Sequence, residues 1–238
     1  MSERHLQRWA RASGAIAGAL AIAALVVAGK PPAADATGAE VAEAWANNDR
    51  LLAAVVIASI SLVFLLWFAG AVAAALRDVG MRGWALTIVA ALTARAGVQV
   101  IIVTLYGSLA WKIAADGDPR IVLAFRDLIL ALGVTASLPI AVVMFASAMG
   151  LTRGGLAPAW YRWLFLAGAA VALAGGTVWA QDGVWAPDGL VGMLSIAVSL
   201  LWMFVTSGVL LRAPQPTEDA AERSTETVLY SAAQPRPR

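Results

Sequence analysis

LLAAVVIASISLVFLLWFAGAVAAAL, residues 51–76, is a run of 26 residues without a charged side chain, bounded by Arg50 and Arg77. A helix needs about 20 apolar residues to cross the hydrocarbon core of a bilayer. A helix that is apolar on every side lies in a membrane or in the core of a large protein. The segment therefore predicts a transmembrane helix, and it sets the fold class.

The composition of the whole chain agrees with this prediction. Of the 238 residues, 61% are hydrophobic and 13% are charged, whereas soluble domains carry about 25% charged residues. Apolar segments recur between charged or turn residues, so we predict an all-α polytopic membrane helical bundle. Its six transmembrane helices are expected at about residues 12–29, 51–76, 83–111, 121–150, 163–180 and 190–211. Pro139 should kink the fourth of them.

The two parts of the chain differ in character. Residues 1–211 contain all six predicted spans and form one membrane domain. Residues 212–238 contain four prolines and charges of both signs, a composition that predicts a disordered tail.

The charges outside the spans predict the orientation, because Lys and Arg accumulate in cytoplasmic loops. With the N-terminus inside, the inner segments hold eleven basic residues and the outer segments four. The inner set is Arg4, Arg8, Arg11, Arg77, Arg82, Arg153, Arg162, Arg212, Arg223, Arg236 and Arg238. We therefore predict that both termini, and with them the tail, are cytoplasmic. The 15 arginines against two lysines are typical of GC-rich genomes, and we expect a bacterial plasma membrane.

The first span has a second interpretation. Basic residues, an apolar stretch and then Ala34-Asp35-Ala36 also fit a cleavable secretory signal. Cleavage would leave five spans with the N-terminus outside. Both interpretations stay open from the sequence.

Several kinds of chemistry are excluded by composition. The chain has no cysteine and a single histidine, His5, which precedes every apolar run. Disulfides, thiolate metal sites and histidine-dependent haem, zinc or serine-hydrolase chemistry within the membrane are therefore excluded. The two lysines, Lys30 and Lys112, flank apolar segments. We expect no enzymatic activity, no cofactor and no metal, and the inner loops carry no nucleic-acid-binding module.

Three ionisable residues lie inside the predicted spans, and such residues count as candidates for function because they are costly in a membrane. Arg95 lies in the third span, and Arg126 and Asp127 lie in the fourth. Gln99 follows Arg95 by one helical turn, so it shares the same face. Counted from the predicted membrane edges, Arg95 and Asp127 lie at similar depth, which predicts a salt bridge. Arg126 should point about 100° away from Asp127 and toward the outer interface.

This group supports two interpretations. A buried Arg95–Asp127 pair would fix helix register without chemistry. Alternatively, Arg95, Gln99, Arg126 and Asp127 would form a ligand site in the outer half of the bundle. The excess of one positive charge favours an anionic ligand.

Other patterns predict how the helices pack. Thr37 and Glu40 form a capping-box sequence, which predicts a short helix from Val41 to about Asn47 with Trp45 at the membrane surface. A stripe on the sixth span predicts interhelical hydrogen bonds. Its members are Ser195, Ser199, Trp202 and Thr206. Small residues at Gly14 and Gly18, and at Gly168, Ala172 and Gly176, predict close helix packing within the bundle.

Three stretches carry a resemblance to known sequences. They are ARAGVQV (94–100), FRDLIL (125–130) and the run from Leu138 to Gly175. The chain resembles a bacterial six-helix integral-membrane family of unknown function, over about two thirds of its length. The resemblance implies the same fold and location, and it places the family's Arg, Gln, Phe and Asp at Arg95, Gln99, Phe125 and Asp127. Members often carry a His soon after the Asp, where this chain has Ile129 and Leu130.

The expected function follows from these points. The first expectation is a multi-pass plasma-membrane protein with a structural or regulatory role and a buried Arg–Asp pair. The alternative is a protein that binds or transports a small solute or lipid through Arg95, Gln99 and Asp127. The expected partners are the lipid bilayer and, for the alternative, an anionic small molecule or lipid.

Overall fold

The computed structural model describes residues 3–32, 36–180 and 182–213. Within these ranges the chain forms nine α-helices, one π-helical turn and no strand. The α-helices are α1 (Glu3–Ala28), α2 (Gly38–Trp45), α3 (Asp49–Asp78), α4 (Arg82–Ser108), α5 (Ala114–Asp116), α6 (Pro119–Thr135), α7 (Ser137–Arg153), α8 (Ala159–Gly175) and α9 (Leu190–Arg212). The π turn, Leu109–Ile113, joins α4 to α5. The predicted tail from residue 214 onward lies outside the described residues.

Five helical segments are long and apolar enough to cross a membrane. They are His5–Ala28, Asp49–Asp78, Arg82–Asp116, Pro119–Arg153 and Leu190–Arg212. Helix α8 is equally apolar but has 17 residues. The predicted all-α fold with several membrane-length helices is therefore confirmed as a helical bundle.

The fourth apolar segment is interrupted, and Pro139 explains the interruption. Helix α6 ends at Thr135 and α7 begins at Ser137, with Ala136 between them. Proline has no N–H for the carbonyl four residues earlier, and its ring crowds that carbonyl. That carbonyl belongs to Thr135, whose hydroxyl also bonds backward to Ala131 and Leu132 carbonyls. A proline and a back-bonded threonine together interrupt the regular helix at one residue, Ala136, whose backbone stays in the α region, so Pro119–Arg153 remains one helical segment of 35 residues.

Six helices form a closed ring in the order α1, α3, α4, α7, α8, α9, so that α1 and α9 are neighbours. The interior of the ring is the main core, in which Phe68 packs edge-on against Trp202 with ring centroids 5.5 Å apart. Tyr161 and Phe165 of α8 complete this aromatic centre. Helix α1 is fastened to α3 by a hydrogen bond from the Ser61 hydroxyl to the Ala17 carbonyl. The alternative that this segment is a cleaved signal stays a prediction.

A second hydrophobic cluster, the end cluster, joins α2 to the first turn of α3, the last turns of α4 and helix α6. The predicted capping box at Thr37 and Glu40 is confirmed and starts α2 at Gly38. The Trp45 side chain is buried against Tyr106, with ring centroids 5.6 Å apart, so it packs on protein, and its position at the membrane surface stays a prediction. An isolated amphipathic helix would lay this indole on the membrane surface. Here α6 and the end of α4 supply a protein surface that covers it.

The small residues predicted to allow close packing do so within the bundle. A Cβ added at Gly14 would come within 2.7 Å of Phe68 on α3. At Gly176 it would come within 2.4 Å of Leu138 on α7. These faces bring neighbouring helices of one chain together, as small residues do in membrane proteins.

Candidate functional site

Arg95 is the central residue of α4, thirteen residues from Arg82 (95 − 82) and thirteen from Ser108 (108 − 95). At 1.5 Å per residue it lies about 20 Å from each end of the helix. It shares a helical face with Ile88 and Ile102, seven residues to either side, and both are buried. Ile88 belongs to the main core and Ile102 to the end cluster. Arg95 therefore projects from the packed face of α4, at the junction of the two clusters.

The Arg95 guanidinium has one hydrogen bond, which joins its Nη1 to Oε1 of Gln99 at 2.6 Å. Both side chains are half-buried. Within the described part of the chain, the buried side-chain polar atoms without a partner are Ser147 Oγ and Trp202 Nε1. The remaining nitrogens of Arg95 are not among them, so they keep access to open space. The bundle thus holds a cation at mid-length that is neither sealed nor neutralised by a carboxylate of the described residues.

Arg126 and Asp127 form a separate pair on α6. Nε and Nη2 of Arg126 donate to Oδ1 of Asp127 at 3.1 and 2.9 Å. Nη1 of Arg126 also lies 3.3 Å from the Ala36 carbonyl, which precedes α2. The Arg126 side chain is 12% exposed and that of Asp127 is 59% exposed. This pair links α6 to the segment before α2, and its carboxylate faces outward.

The predicted Arg95–Asp127 salt bridge is wrong, because the two residues lie at different heights. A Cβ on Gly150 of α7 would be 2.9 Å from the Cβ of Trp84 on α4, so these positions are level. From this contact, 23 residues toward the C-terminus of α4 lead to Gly107 (84 + 23), and 23 residues toward the N-terminus of the α6–α7 segment lead to Asp127 (150 − 23). Because the two segments run antiparallel, Asp127 is level with Gly107. Gly107 is twelve residues beyond Arg95, or about 18 Å along the bundle. The sequence estimate placed Arg120 at the same membrane edge as a point about 30 Å along the third span, whereas α4 and its continuation extend to Asp116.

The same count places Arg95 beside the interruption of the fourth segment. Eleven residues from the contact between Trp84 and Gly150, the chain reaches Arg95 on α4 (84 + 11) and Pro139 on α7 (150 − 11). Arg95 is therefore level with Pro139. The structure thus brings Arg95 and Gln99 into contact, at the height of Pro139. It leaves Arg126 and Asp127 out of this group.

One polar cluster was only partly predicted. Tyr161 and Thr206 share a hydrogen bond of 2.7 Å in the main core, and Ser195 donates to Ser137 at 3.1 Å. The stripe on the sixth span had predicted such bonds between helices. Its partners on α7 and α8 were not identified, because isolated hydroxyls in apolar runs give no signal of their own.

The remaining surface features involve none of the predicted site residues. An open depression of about 460 Å³ lies at the turn between α3 and α4, where Gly80, Arg82 and Trp84 contribute to its lining. Among the residues that the structure describes, no group of three His, Cys, Asp or Glu side chains is arranged to hold a metal. The Arg95–Gln99 pair is accordingly the candidate site.

Comparisons with known proteins add no further information about this site. No family model, no curated protein and no solved structure matches the chain. The resemblance to a six-helix membrane family stays a prediction, so the function has to follow from the geometry of the Arg95–Gln99 pair itself.

Proposed function

We propose that the chain is a plasma-membrane protein that crosses the bilayer six times and binds an anionic small molecule or lipid at Arg95. In this proposal both termini are cytoplasmic, in keeping with the eleven basic residues of the inner segments. Helix α8 would be the fifth span in chain order, in addition to the five longer helical segments. Its 17 residues reach about 26 Å, which is near the short limit for a transmembrane helix.

The unneutralised guanidinium of Arg95 carries the proposal. A charged side chain at the centre of a transmembrane helix costs about 2.5–3.5 kcal/mol, and such residues pair with other charges or mark ligand pathways. Arg95 lies at the centre of α4 and bonds to a neutral amide. The nearest intramembrane carboxylate by sequence, Asp127, already bonds to Arg126. An anion from outside the chain would complete the charge balance.

The proposed role is binding without catalysis. Arg95 and Gln99 offer positive charge and N–H donors, whereas catalysis needs a base or nucleophile held by a partner. A purely structural role, in which Arg95 and Asp127 neutralise each other, is disfavoured because the two side chains do not meet. An anion bound at Arg95 fits either passage of a solute or retention of a lipid.

The proposal is tested by comparing the wild-type chain with Arg95→Gln and with Arg162→Gln. Arg162 is the matched control, because it stacks on Trp163 at the start of α8, far along the chain from the site. One measurement is titration calorimetry of the purified protein with inorganic phosphate and with benzoate. The other is native mass spectrometry from nanodiscs that contain phosphatidylglycerol and phosphatidylcholine.

We expect the wild type and Arg162→Gln to bind a soluble anion, or to retain phosphatidylglycerol selectively. Arg95→Gln should bind about 10- to 100-fold more weakly, which corresponds to the loss of charged hydrogen bonds. The calorimetry separates a soluble anion from a lipid headgroup as the source of the negative charge. Equal binding by all three proteins, or binding by none, would overturn the proposal.

A further inference from the structure

We infer that Gln99 positions Arg95 and joins it in a cationic site whose unpaired groups are N–H donors, which selects a singly charged oxyanion with two acceptor oxygens. This inference rests on the proposed function and narrows its ligand. It follows from three features of the pair, namely the orientation of the amide, the charge of the partner and the number of free donors.

The orientation of the Gln99 amide is fixed by chemistry. Arginine has five N–H donors and no acceptor, so only the amide oxygen can face it. The 2.6 Å bond from Nη1 to Oε1 is short, as bonds from charged donors are. The amide NH₂ group therefore points away from Arg95, and its two N–H bonds are free to act as donors.

The neutral amide leaves the charge of Arg95 intact. A carboxylate one turn along the helix would form an ion pair and cancel it. Glutamine instead uses one N–H of the guanidinium and leaves its positive charge for a ligand. The contrast lies within the same chain, because Arg126 is paired with the carboxylate of Asp127. A ligand with one net negative charge would balance the Arg95–Gln99 site.

The free donors define the ligand class. One of the five guanidinium N–H bonds is used by Gln99, which leaves four, and the amide adds two. A guanidinium presents parallel donors that match the two oxygens of a carboxylate or phosphate. The one acceptor of the pair, the Gln99 oxygen, already accepts from Arg95 and lies beside its positive charge, so an ammonium group would be repelled there. The shared chemistry is thus a carboxylate or a phosphate diester, either of a soluble molecule or of an anionic lipid.

The test replaces the amide with a carboxylate and then with an apolar group. Gln99→Glu places a negative charge beside Arg95, and Gln99→Leu removes the two free donors. Gln7→Glu is the matched control, since it makes the same change at an exposed position on α1. Binding of benzoate and inorganic phosphate is measured by calorimetry, and lipid retention by native mass spectrometry. The melting temperature in detergent is recorded for every variant.

Gln99→Glu should lower anion affinity at least 10-fold while its melting temperature stays equal to or above that of the wild type. A residue that only stabilises the fold would not separate these two readouts. Gln99→Leu should lower anion affinity about 3- to 10-fold, and Gln7→Glu should leave it unchanged. The inference is wrong if both Gln99 variants bind like the wild type while Arg95→Gln loses binding. In that case the anion uses Arg95 alone, and the proposed function stands.

Discussion

The hydroxyl groups of Tyr161 on α8 and Thr206 on α9 lie 2.7 Å apart in the main core, and both side chains are fully buried. The Ser147 hydroxyl on α7 and the Trp202 indole N–H on α9 are also buried in the bundle. Neither has a hydrogen-bond partner of its own among the described residues. A hydroxyl offers one donor and two acceptor lone pairs. The Tyr161–Thr206 hydrogen bond therefore pairs the buried hydroxyls of α8 and α9.

Tyr161→Phe should destabilise the bundle by about 1–3 kcal/mol, because it leaves the buried Thr206 hydroxyl without this partner. The measurement is unfolding by SDS in mixed micelles, followed by circular dichroism. Tyr106→Phe is the control: its ring packs on Trp45, and its hydroxyl has no hydrogen bond within the described ranges. Equal stability of the two variants would show that the Tyr161 hydroxyl does not organise these helices.

The Arg11 side chain connects α1 to the C-terminal end of α9 through hydrogen bonds. Its Nη1 donates to the carbonyls of Leu210 and Ala213, at 3.0 and 3.3 Å. Carbonyls at a helix C-terminus lack partners within the helix, and a cation there is stabilising. Arg11→Ala should lower the free energy of unfolding by about 1.5–3 kcal/mol and speed hydrogen exchange in the last turn of α9. Arg8→Ala, at an exposed position on the same helix, should change neither quantity. If both substitutions had the same effect, general charge rather than capping would be responsible.

Features encoded by neighbouring residues could be predicted from the sequence. Apolar runs predicted the long helices, since each helix satisfies its own backbone. Thr37 and Glu40 predicted the start of α2, because both partners of a capping box lie within four residues. Pro139 predicted the interruption between α6 and α7 for the same reason. The Arg95–Gln99 contact was likewise local, as the two residues are one turn apart on α4.

Features that depend on how far helices extend or on backbone partners were missed. The Arg95–Asp127 pairing failed because the hairpin between α4 and α6 continues beyond the assumed membrane edge, which displaces Asp127 by about 18 Å. Adjacent helical residues point about 100° apart, yet the long Arg126 side chain spans that angle to reach Asp127. Arg11 was counted only as a topology signal. Its partners are carbonyls at the opposite end of the chain, which no side-chain pattern reveals.

At Gly175, the backbone of α8 packs closely against Ser195 of α9. An added Cβ would lie 2.4 Å from the Cβ of Ser195, a rigid atom next to the backbone. Gly175→Ala should therefore destabilise the fold by about 1–3 kcal/mol through overpacking. Gly208→Ala is the control, since nothing lies within 4 Å of its added Cβ. It should be neutral or slightly stabilising, because alanine favours helix over glycine. The two melting temperatures, measured in the same detergent, should move in opposite directions or differ by several degrees.

The stability of α2, which belongs to the end cluster, should depend on pH through the carboxyl group of Glu40. Its carboxylate accepts hydrogen bonds from the backbone N–H and the hydroxyl of Thr37, and these bonds hold the pKa of Glu40 below its ordinary value of 4.5. A carboxyl with a lowered pKa in the folded state stabilises that state above its unfolded pKa. This stabilisation of α2 is lost as the pH falls through the folded pKa. A ¹³C NMR titration of the Glu40 carboxyl in detergent should give a midpoint below 4.5 in the wild type. Thr37→Ala removes the hydroxyl, so the midpoint should rise toward the ordinary value. Identical midpoints in the two proteins would mean that the capping box does not hold α2 in solution.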